Sequence, residues 1–238
     1  VQEIADALRD VPVPVMVKNP INPDLKLWKG ALERIQRANV KEVIACHRGF
    51  AVYGQTLLRN APLWEIPIDL KREFPDIPIV CDPSHIAGRR DYIEDLARQA
   101  LDLGHEGLMI ETHPTPDQAW SDAAQQLQPM DLLDLLSRLK FRNPATDDAE
   151  FHRNLTVFRT EIDEIDARMQ QLIAERMEIS REIGNMKRAN NVAFYQHNRW
   201  NAVLEQVRQQ ADRLDLNEEF MTKLFSLIHL ESLDIQGE

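Results

Sequence analysis

Short apolar segments of β-strand character recur through the first part of the chain. They are VPVMV at 13–17, VIAC at 43–46, IPIVC at 77–81 and GLMI at 107–110. Each is followed by polar or Gly/Pro-containing residues and then by a helical pattern. The predicted helices are 24–38, 63–74, 91–103 and 129–139. This alternation predicts a parallel sheet buried on both faces. Four such units are half of a (β/α)₈ TIM barrel, which needs about 250 residues, so we expect the first half upstream of Val1.

Beyond these units the hydrophobic pattern becomes purely helical. Residues 140–152 lose the pattern and are predicted to link a domain at 1–139 to a domain at 153–238. Apolar residues then recur at a spacing of three or four up to Lys187, which favours one long helix with a coiled-coil-like partner. They are Leu155, Phe158, Ile162, Ile165, Met169, Leu172, Ile179, Ile183 and Met186. A second helix is predicted at about 195–212. The pair Asp215 and Glu218 predicts a capping box for a third helix. With the βα units of the first domain, the predicted fold class is α/β plus all-α.

Charge and composition narrow the possible partners. The formal net charge of -11 argues against nucleic acid or an anionic membrane, because both need a basic surface. The most apolar early stretch, 11–17, is too short and too rich in proline for a signal peptide or a membrane span. Cys46 and Cys81 give no disulfide framework and are interpreted as small buried hydrophobes in a reducing compartment. We therefore expect a cytoplasmic protein that holds anionic ligands through a few local Lys and Arg side chains.

Polar clusters follow the predicted strands, at the edge where α/β enzymes build their active sites. The clusters are Lys18, CHRG at 46–49, DPSH at 82–85 and ETHP at 111–114. His85, Glu111 and Asp122 offer one imidazole and two carboxylates, a set suited to Mn²⁺, Fe²⁺, Co²⁺ or Zn²⁺. Lys18 and Arg48 are cations placed to hold a phosphate or a carboxylate. Each residue alone also fits an ordinary structural role, but four clusters in register are hard to explain in that way.

Residues 1–139 resemble the 3-deoxy-D-arabino-heptulosonate 7-phosphate (DAHP) synthases of the shorter type I-beta subclass. The resemblance rests on VMVKNP around Lys18, HRGF at 47–50, DPSH at 82–85 and ETHPTPDQAWSD at 111–122. It implies condensation of phosphoenolpyruvate with erythrose 4-phosphate at a divalent metal held by His85, Glu111 and Asp122. It also implies that Lys18 and Arg48 bind phosphoenolpyruvate, with a further role for Lys18 in proton transfer.

Two features of that family have no counterpart in this chain. They are the fourth metal ligand, a Cys on an early strand, and a phosphate-binding Lys-Pro-Arg-Thr segment. Cys46 and Cys81 do not stand in that motif, so we expect no condensation by this chain alone. The related octulosonate 8-phosphate synthases are the alternative for this domain, although the attached helical domain and the DPSH motif count against them.

Arg176 occupies a position where the heptad pattern predicts an apolar residue. A buried arginine needs an anionic partner. Lys187 lies 11 residues further along, close to three helical turns, and therefore on nearly the same face. Either an anionic ligand or an internal salt bridge to Asp or Glu would satisfy the arginine.

Residues 153–238 resemble the all-helical chorismate mutases. The matching residues are Arg159 in FRTEIDEID, Arg176 in LIAERMEIS, Lys187 in IGNMK, Arg199 in HNRW, and Ser232 with Gln236 in ESLDIQ. The resemblance implies the Claisen rearrangement of chorismate to prephenate, which uses no metal, nucleophile or acid/base residue. Catalysis would come from holding the folded conformer and stabilising charge on the ether oxygen. On this reading the three arginines bind the two carboxylates, while Lys187 and Gln236 hydrogen-bond the ether oxygen.

Three further expectations follow from this resemblance. Ser232 is a lesser, positioning contact, whereas Gln196 and Trp200 stand where some members have acidic residues against the substrate hydroxyl. Arg159 and Lys187 lie 28 residues apart on one predicted helix, about 42 Å at a rise of 1.5 Å per residue. If both serve one small substrate, the domain must be an intertwined homodimer. The alternative is a regulatory or dimerising module that binds the ligand without turnover.

Overall fold

A computed structural model describes residues 1–54, 57–142 and 145–237, and the chain forms two compact units, 1–146 and 147–238. The strands of the first unit are β1 (Pro14–Lys18), β2 (Glu42–His47), β3 (Ile79–Cys81) and β4 (Gly107–Leu108). Its helices are α1 (Gln2–Ala7), α2 (Leu25–Gln36), α3 (Glu65–Glu73), α4 (Pro83–Ala87), α5 (Ile93–Asp102) and α6 (Pro129–Arg138). The helices of the second unit are α7 (Ala149–Ala189), α8 (His197–Arg213) and α9 (Glu218–Gly237).

The four strands form one parallel sheet in the order β1-β2-β3-β4. Lys18 pairs with Cys46, and His47 pairs with Cys81, so the ends of the first three strands lie side by side. The predicted alternation of strands and helices is confirmed. The sheet therefore gathers the polar segments that follow the strands at one edge.

Helices bury the apolar residues of the sheet. Trp28 and Leu32 of α2 and Leu70 of α3 pack with Ala45 and Ile79 of the strands, and all five are almost fully buried. The Trp28 indole also donates to the Val17 carbonyl at 3.2 Å. A second cluster packs α4, α5 and α6 together next to β3. This packing fixes the strand ends that carry the polar segments.

Helix α4 is the main element that the sequence pattern did not predict. Asp82 caps it, because its Oδ1 accepts from the His85 backbone N–H at 3.0 Å, and Pro83 occupies its first position. Gly88 ends it with φ of 70°, the left-handed conformation that favours glycine. The DPSH segment is therefore a short helix rather than a loop. Strand β4 is also shorter than the predicted 107–110.

The second unit contains the long helix that the spacing predicted, but its boundaries differ. Helix α7 begins at Ala149, within the residues predicted to be linker, because the Asp148 carboxylate caps the N–H groups of Glu150 and Phe151. The predicted capping box for α9 is wrong. Asn217 caps that helix by accepting from Phe220 N–H at 2.8 Å, whereas Asp215 has a φ of 53° in the turn after α8.

Helix α9 packs against both α7 and α8. Gly184 allows its approach to α7, because a Cβ at that position would lie 2.7 Å from Cα and 2.8 Å from the carbonyl O of Gln236. Much of the apolar face of α7 is nevertheless exposed, with Phe158 at 60% and Leu172 at 63%. Within the described chain this face has no covering element.

Candidate functional sites

One imidazole and two carboxylates meet at the edge of the sheet, where the sequence predicted them. His85 comes from α4, while Glu111 and Asp122 follow β4. His85 Nε2 lies 3.6 Å from Glu111 Oε1 and 3.9 Å from Asp122 Oδ2. The candidate ligand atoms of the three residues all lie within 4.8 Å of one another. This donor set and spacing fit a divalent ion such as Mn²⁺, Fe²⁺, Co²⁺ or Zn²⁺.

Asp82 connects this cluster to Lys18. Its carboxylate is fully buried, and Oδ2 lies 2.8 Å from His85 Nδ1, although off the line of a hydrogen bond. The same oxygen accepts from Lys18 Nζ at 3.1 Å. A carboxylate beside one imidazole nitrogen orients the ring and leaves the other nitrogen for a ligand. The DPSH motif stands out in the sequence, but the motif alone does not indicate a role for Asp82.

Two further side chains bind the carboxylates of the cluster. Gln125 Nε2 donates to Glu111 Oε2 at 3.0 Å, and Arg59 Nη1 donates to Asp122 Oδ1 at 2.7 Å. Arg59 Nη1 also donates to Gln125 Oε1 at 2.8 Å. The sequence carried no signal for either residue, because neither belongs to a periodic pattern or a strand end.

Arg48 is tied to the end of β1 by its backbone. Its N–H donates to Asn19 Oδ1 at 2.6 Å, and Asn19 Nδ2 donates to the Gly49 carbonyl at 2.8 Å. Gly49 has φ of 75°, and a Cβ there would lie 2.8 Å from Asn60 Cβ. The guanidinium of Arg48 makes no hydrogen bond to another described residue. Lys18 and Arg48 thus stand on neighbouring strand ends beside the cluster.

The buried cysteines and histidine near this edge have perturbed pKa values. Burial raises the pKa of Cys46 to about 12, with a further contribution from Asp82, and burial also raises the pKa of Cys81. Both thiols therefore stay protonated, as their interpretation as buried hydrophobes requires. Burial lowers the pKa of His47 to about 3, and its Nε2 lies 2.7 Å from the Pro62 carbonyl. His47 is an uncharged part of the core rather than a ligand.

The second unit contains a cavity of about 270 Å³ among its three helices. Five of the six residues predicted for the helical domain line it: Arg176, Lys187, Arg199, Ser232 and Gln236. The sixth, Arg159, is exposed on the earlier part of α7 and does not reach the cavity within one chain. The structure thus brings together all the predicted residues except the one that was expected to act in a partner subunit.

Hydrogen bonds fix two of the cationic groups of this cavity, those of Arg176 and Lys187. Arg176 donates to Ser232 Oγ and, at 3.5 Å, to the Ile228 carbonyl. Lys187 Nζ donates to the Phe194 carbonyl at 2.6 Å and to Gln236 Oε1 at 3.1 Å. The Gln236 amide is therefore oriented with its oxygen toward the ammonium group.

The charges of the cavity are not balanced by acidic groups. Three cations line it, and no Asp or Glu stands among the described lining residues. Arg176 has no ion-pair partner in the described ranges, and burial lowers its pKa. The internal salt bridge considered for Arg176 is therefore absent from the described chain. Clustered cations that share hydrogen bonds only with neutral groups favour an anionic ligand.

Trp200 and His229 form part of the same cavity wall. Their rings stack with centroids 4.1 Å apart and planes 5° apart. Burial lowers the pKa of His229, and the nearby charges of Arg176 and Lys187 lower it further. The imidazole is thus held in its neutral form. Trp200, at a position where some family members have an acidic residue, thus packs against His229. His229 was missed because a lone histidine on a helix carries no signal of its own.

No helix in the described residues combines the length and the apolar character needed to span a membrane.

Known proteins resemble both units. The family model for the DAHP synthetase I family matches residues 2–143, and that for chorismate mutase type II matches residues 158–237. A phospho-2-dehydro-3-deoxyheptonate aldolase from Thermotoga maritima is 32% identical over 114 residues, which are 48% of this chain and 33% of the relative. A 2-dehydro-3-deoxyphosphooctonate aldolase from Pseudomonas putida is 29% identical over 150 residues, 58% of this chain and 52% of the relative.

A solved structure is also among the similar proteins. It is a truncated form of 3-deoxy-D-arabino-heptulosonate 7-phosphate synthase from Thermotoga maritima, with 30% sequence identity and a TM-score of 0.48. The match covers 52% of this chain and 47% of that one. The chain spans about half or less of the length of these relatives. Because the first family model matches more than half of the chain, this protein belongs to the DAHP synthetase I family and carries a chorismate mutase type II region at its C-terminal side.

Proposed function

We propose that the helical unit converts chorismate to prephenate in the cavity between α7, α8 and α9. The observation that carries this proposal is the set of three cations without a carboxylate, next to Ser232 and Gln236. Chorismate is a small dianion, so Arg176 and Arg199 can bind its carboxylates and hold the reactive conformer. Lys187 can donate to the ether oxygen as negative charge develops on it. Gln236 Nε2 donates to the Ser232 carbonyl at 3.1 Å, so it must turn from that oxygen to contact the substrate.

Turnover of chorismate by the chain tests this proposal. Lys187→Met should abolish prephenate formation, because the donor to the ether oxygen is lost. Arg188→Met is the matched control, since Arg188 is exposed on the same helix and its side chain hydrogen-bonds only to Asn185 among the described residues. A chelator should leave the reaction unchanged. Equal turnover by the two variants would contradict the role of Lys187, whereas no turnover by the wild type would favour a binding module without catalysis.

We further propose that the helical unit works as an intertwined homodimer. The exposed apolar face of α7 supports a partner helix, and so does an apolar groove of about 410 Å³ beside the cavity. The groove shares Arg176, Arg199 and Val203 with the cavity and continues along Val207, Leu214, Met221 and Phe225. A second copy that laid the early part of its α7 in this groove would bring its Arg159 to the substrate.

We propose that the first unit is the metal-binding half of a synthase that condenses phosphoenolpyruvate with erythrose 4-phosphate. His85, Glu111 and Asp122 would hold a divalent ion, which polarises the aldehyde carbonyl as a Lewis acid when bound. Lys18 and Arg48 would hold the phosphate and carboxylate of phosphoenolpyruvate. Metal binding to the chain tests the site: Co²⁺ or Mn²⁺ should bind, and His85→Ala should remove that binding. Unchanged binding in His85→Ala would exclude this cluster.

Two sugar phosphate products of different chain length remain as alternatives for the first unit. Relatives named as octonate aldolases favour the longer product, whereas the attached mutase region favours the heptulosonate product, because both reactions then serve aromatic biosynthesis. A protein with the complete barrel, offered erythrose 4-phosphate or arabinose 5-phosphate, should use the four-carbon aldehyde. Preference for the five-carbon aldehyde would reverse this assignment.

A further inference from the structure

Each carboxylate of the candidate metal site has one oxygen that accepts a hydrogen bond and one oxygen directed at His85. Gln125 holds Oε2 of Glu111, and the other oxygen, Oε1, is the one 3.6 Å from His85 Nε2. Arg59 holds Oδ1 of Asp122, and Oδ2 is the one 3.9 Å from the same nitrogen. The two contacts are joined, because Arg59 also donates to Gln125 Oε1. The hydrogen-bonded side chains of Arg59 and Gln125 therefore determine which oxygen of each carboxylate faces His85.

The backbone places Arg59 firmly for this task. Its N–H donates to the Ala87 carbonyl at 3.2 Å, and the next N–H, of Asn60, donates to the Ile86 carbonyl at 3.1 Å. Asn60 Nδ2 also donates to the His85 carbonyl at 2.7 Å. Gly88 leaves room for the side chain, since a Cβ there would lie 2.5 Å from Arg59 Cβ. The segment around Arg59 is thus bound to the helix that carries His85.

Gln125 is held equally firmly. Its side chain is almost completely buried, at 1% exposure, and both ends of the amide are paired. Because Arg59 can only donate, it must face the amide oxygen. The amide nitrogen is then left to face Glu111. A buried amide with both ends satisfied in this way is costly to rearrange.

We propose that Arg59 and Gln125 are positioning residues that select the coordinating oxygens of Glu111 and Asp122. This inference rests on the proposed metal site. Without Gln125, the Glu111 carboxylate is free to rotate. Metal binding must then order it, and this cost lowers the metal affinity. Partners of this kind typically change metal affinity 10- to 100-fold, so the effect is measurable on binding alone.

Mn²⁺ titration of the whole chain, followed by the electron paramagnetic resonance signal of free Mn²⁺, tests the inference. Gln125→Met keeps the volume of the side chain and removes both hydrogen bonds, so we expect binding about 10- to 100-fold weaker than in the wild type. Gln126→Met is the matched control. Gln126 is the next residue, and its amide donates to the Ser121 carbonyl rather than to a candidate ligand. The control should bind Mn²⁺ as the wild type does.

A second variant covers the case in which Gln125→Met does not fold, as judged by its thermal melt. Arg59→Lys keeps the positive charge, but its ammonium reaches less far and cannot hold Asp122 and Gln125 in the same geometry. Binding should again weaken at least several-fold. Wild-type affinity in the folded variants, with binding lost in His85→Ala, would overturn the positioning role and leave the metal site intact. Unchanged binding in His85→Ala as well would instead exclude the metal site itself.

Discussion

At the scale of single residues, the charged side chains at strand ends and on the helical seam could be predicted, whereas the residues that hold them could not. Lys187 and Arg176 stand out in sequence because a cation at an apolar position demands an explanation. Arg59, Gln125 and His229 are ordinary polar residues whose partners come from distant parts of the chain. Their roles depend on tertiary contacts, and one sequence contains no record of these.

The buried His47 gives the first unit a specific pH dependence. Its pKa is about 3 in the folded chain, whereas an unfolded histidine has a pKa of about 6.5. Below pH 6.5 the unfolded state binds a proton that the folded state does not bind. The free energy of unfolding therefore decreases as the pH falls from 6.5 toward 3. The free energy of unfolding decreases by at most about 1.4 kcal/mol per pH unit.

Urea unfolding of wild type and His47→Phe between pH 7 and 4 measures this dependence. The variant replaces the imidazole with another ring next to Phe50 and Trp64. The wild type should lose stability more steeply with falling pH than the variant does. Parallel curves would show that His47 is protonated in the folded state or exposed to solvent.

At the scale of elements, hydrophobic periodicity predicted most helices and strands, and local hydrogen bonding caused the errors. Helix α4 was missed because five residues are too few for periodicity, although Asp82 and Gly88 define its two ends. The start of α9 was misplaced because Asp215 and Asn217 are both good capping residues. Asp215 is excluded from that role by its left-handed conformation and by the hydrogen bond from Leu216 N–H back to the Ala211 carbonyl, which places it in the turn that ends α8.

The contact between α7 and α9 depends on the absence of a side chain at Gly184. Gly184→Ala puts a Cβ within 3 Å of the Gln236 backbone, which cannot move without moving α9. We expect a net loss of about 1–3 kcal/mol from overpacking, after the gain in helix propensity of up to about 1 kcal/mol. Because Gln236 and Ser232 shift with α9, mutase activity should fall as well.

Thermal melting and chorismate turnover of Gly184→Ala check this prediction. Gly30→Ala in α2 is the control, since its Cβ would meet only the flexible end of the Arg34 side chain. The control should be neutral or slightly stabilising. Equal stability of Gly184→Ala and wild type would mean that the two helices are not in close contact.

At the scale of the whole molecule, the sequence predicted two units of different class, and the structure has them. The homodimer stays a prediction. It follows from the distance along α7 between Arg159 and Lys187, about 42 Å at 1.5 Å per residue, together with the uncovered face of that helix. A single site that uses both residues must take them from two chains.

Mixing two inactive variants tests this assembly. Arg159→Ala and Lys187→Ala should each be nearly inactive alone, because each lesion affects both sites of a homodimer. After co-refolding, a heterodimer has one site with both lesions and one site with neither, so part of the activity should return. If mixtures that contain verified heterodimers stay inactive, Arg159 does not belong to the substrate site or the helix is not continuous between the two residues.

The most direct test of the mutase assignment is turnover of Arg176→Ala, with melting measured on the same sample. A positioned charge in a desolvated site is worth several kcal/mol, and each 1.4 kcal/mol or so is a factor of ten in rate. Because Arg176 has only neutral partners in the described chain, its loss should lower prephenate formation by several orders of magnitude with little change in melting temperature. A marked drop in melting temperature, with activity per folded molecule largely preserved, would instead make Arg176 a structural residue without a role in catalysis.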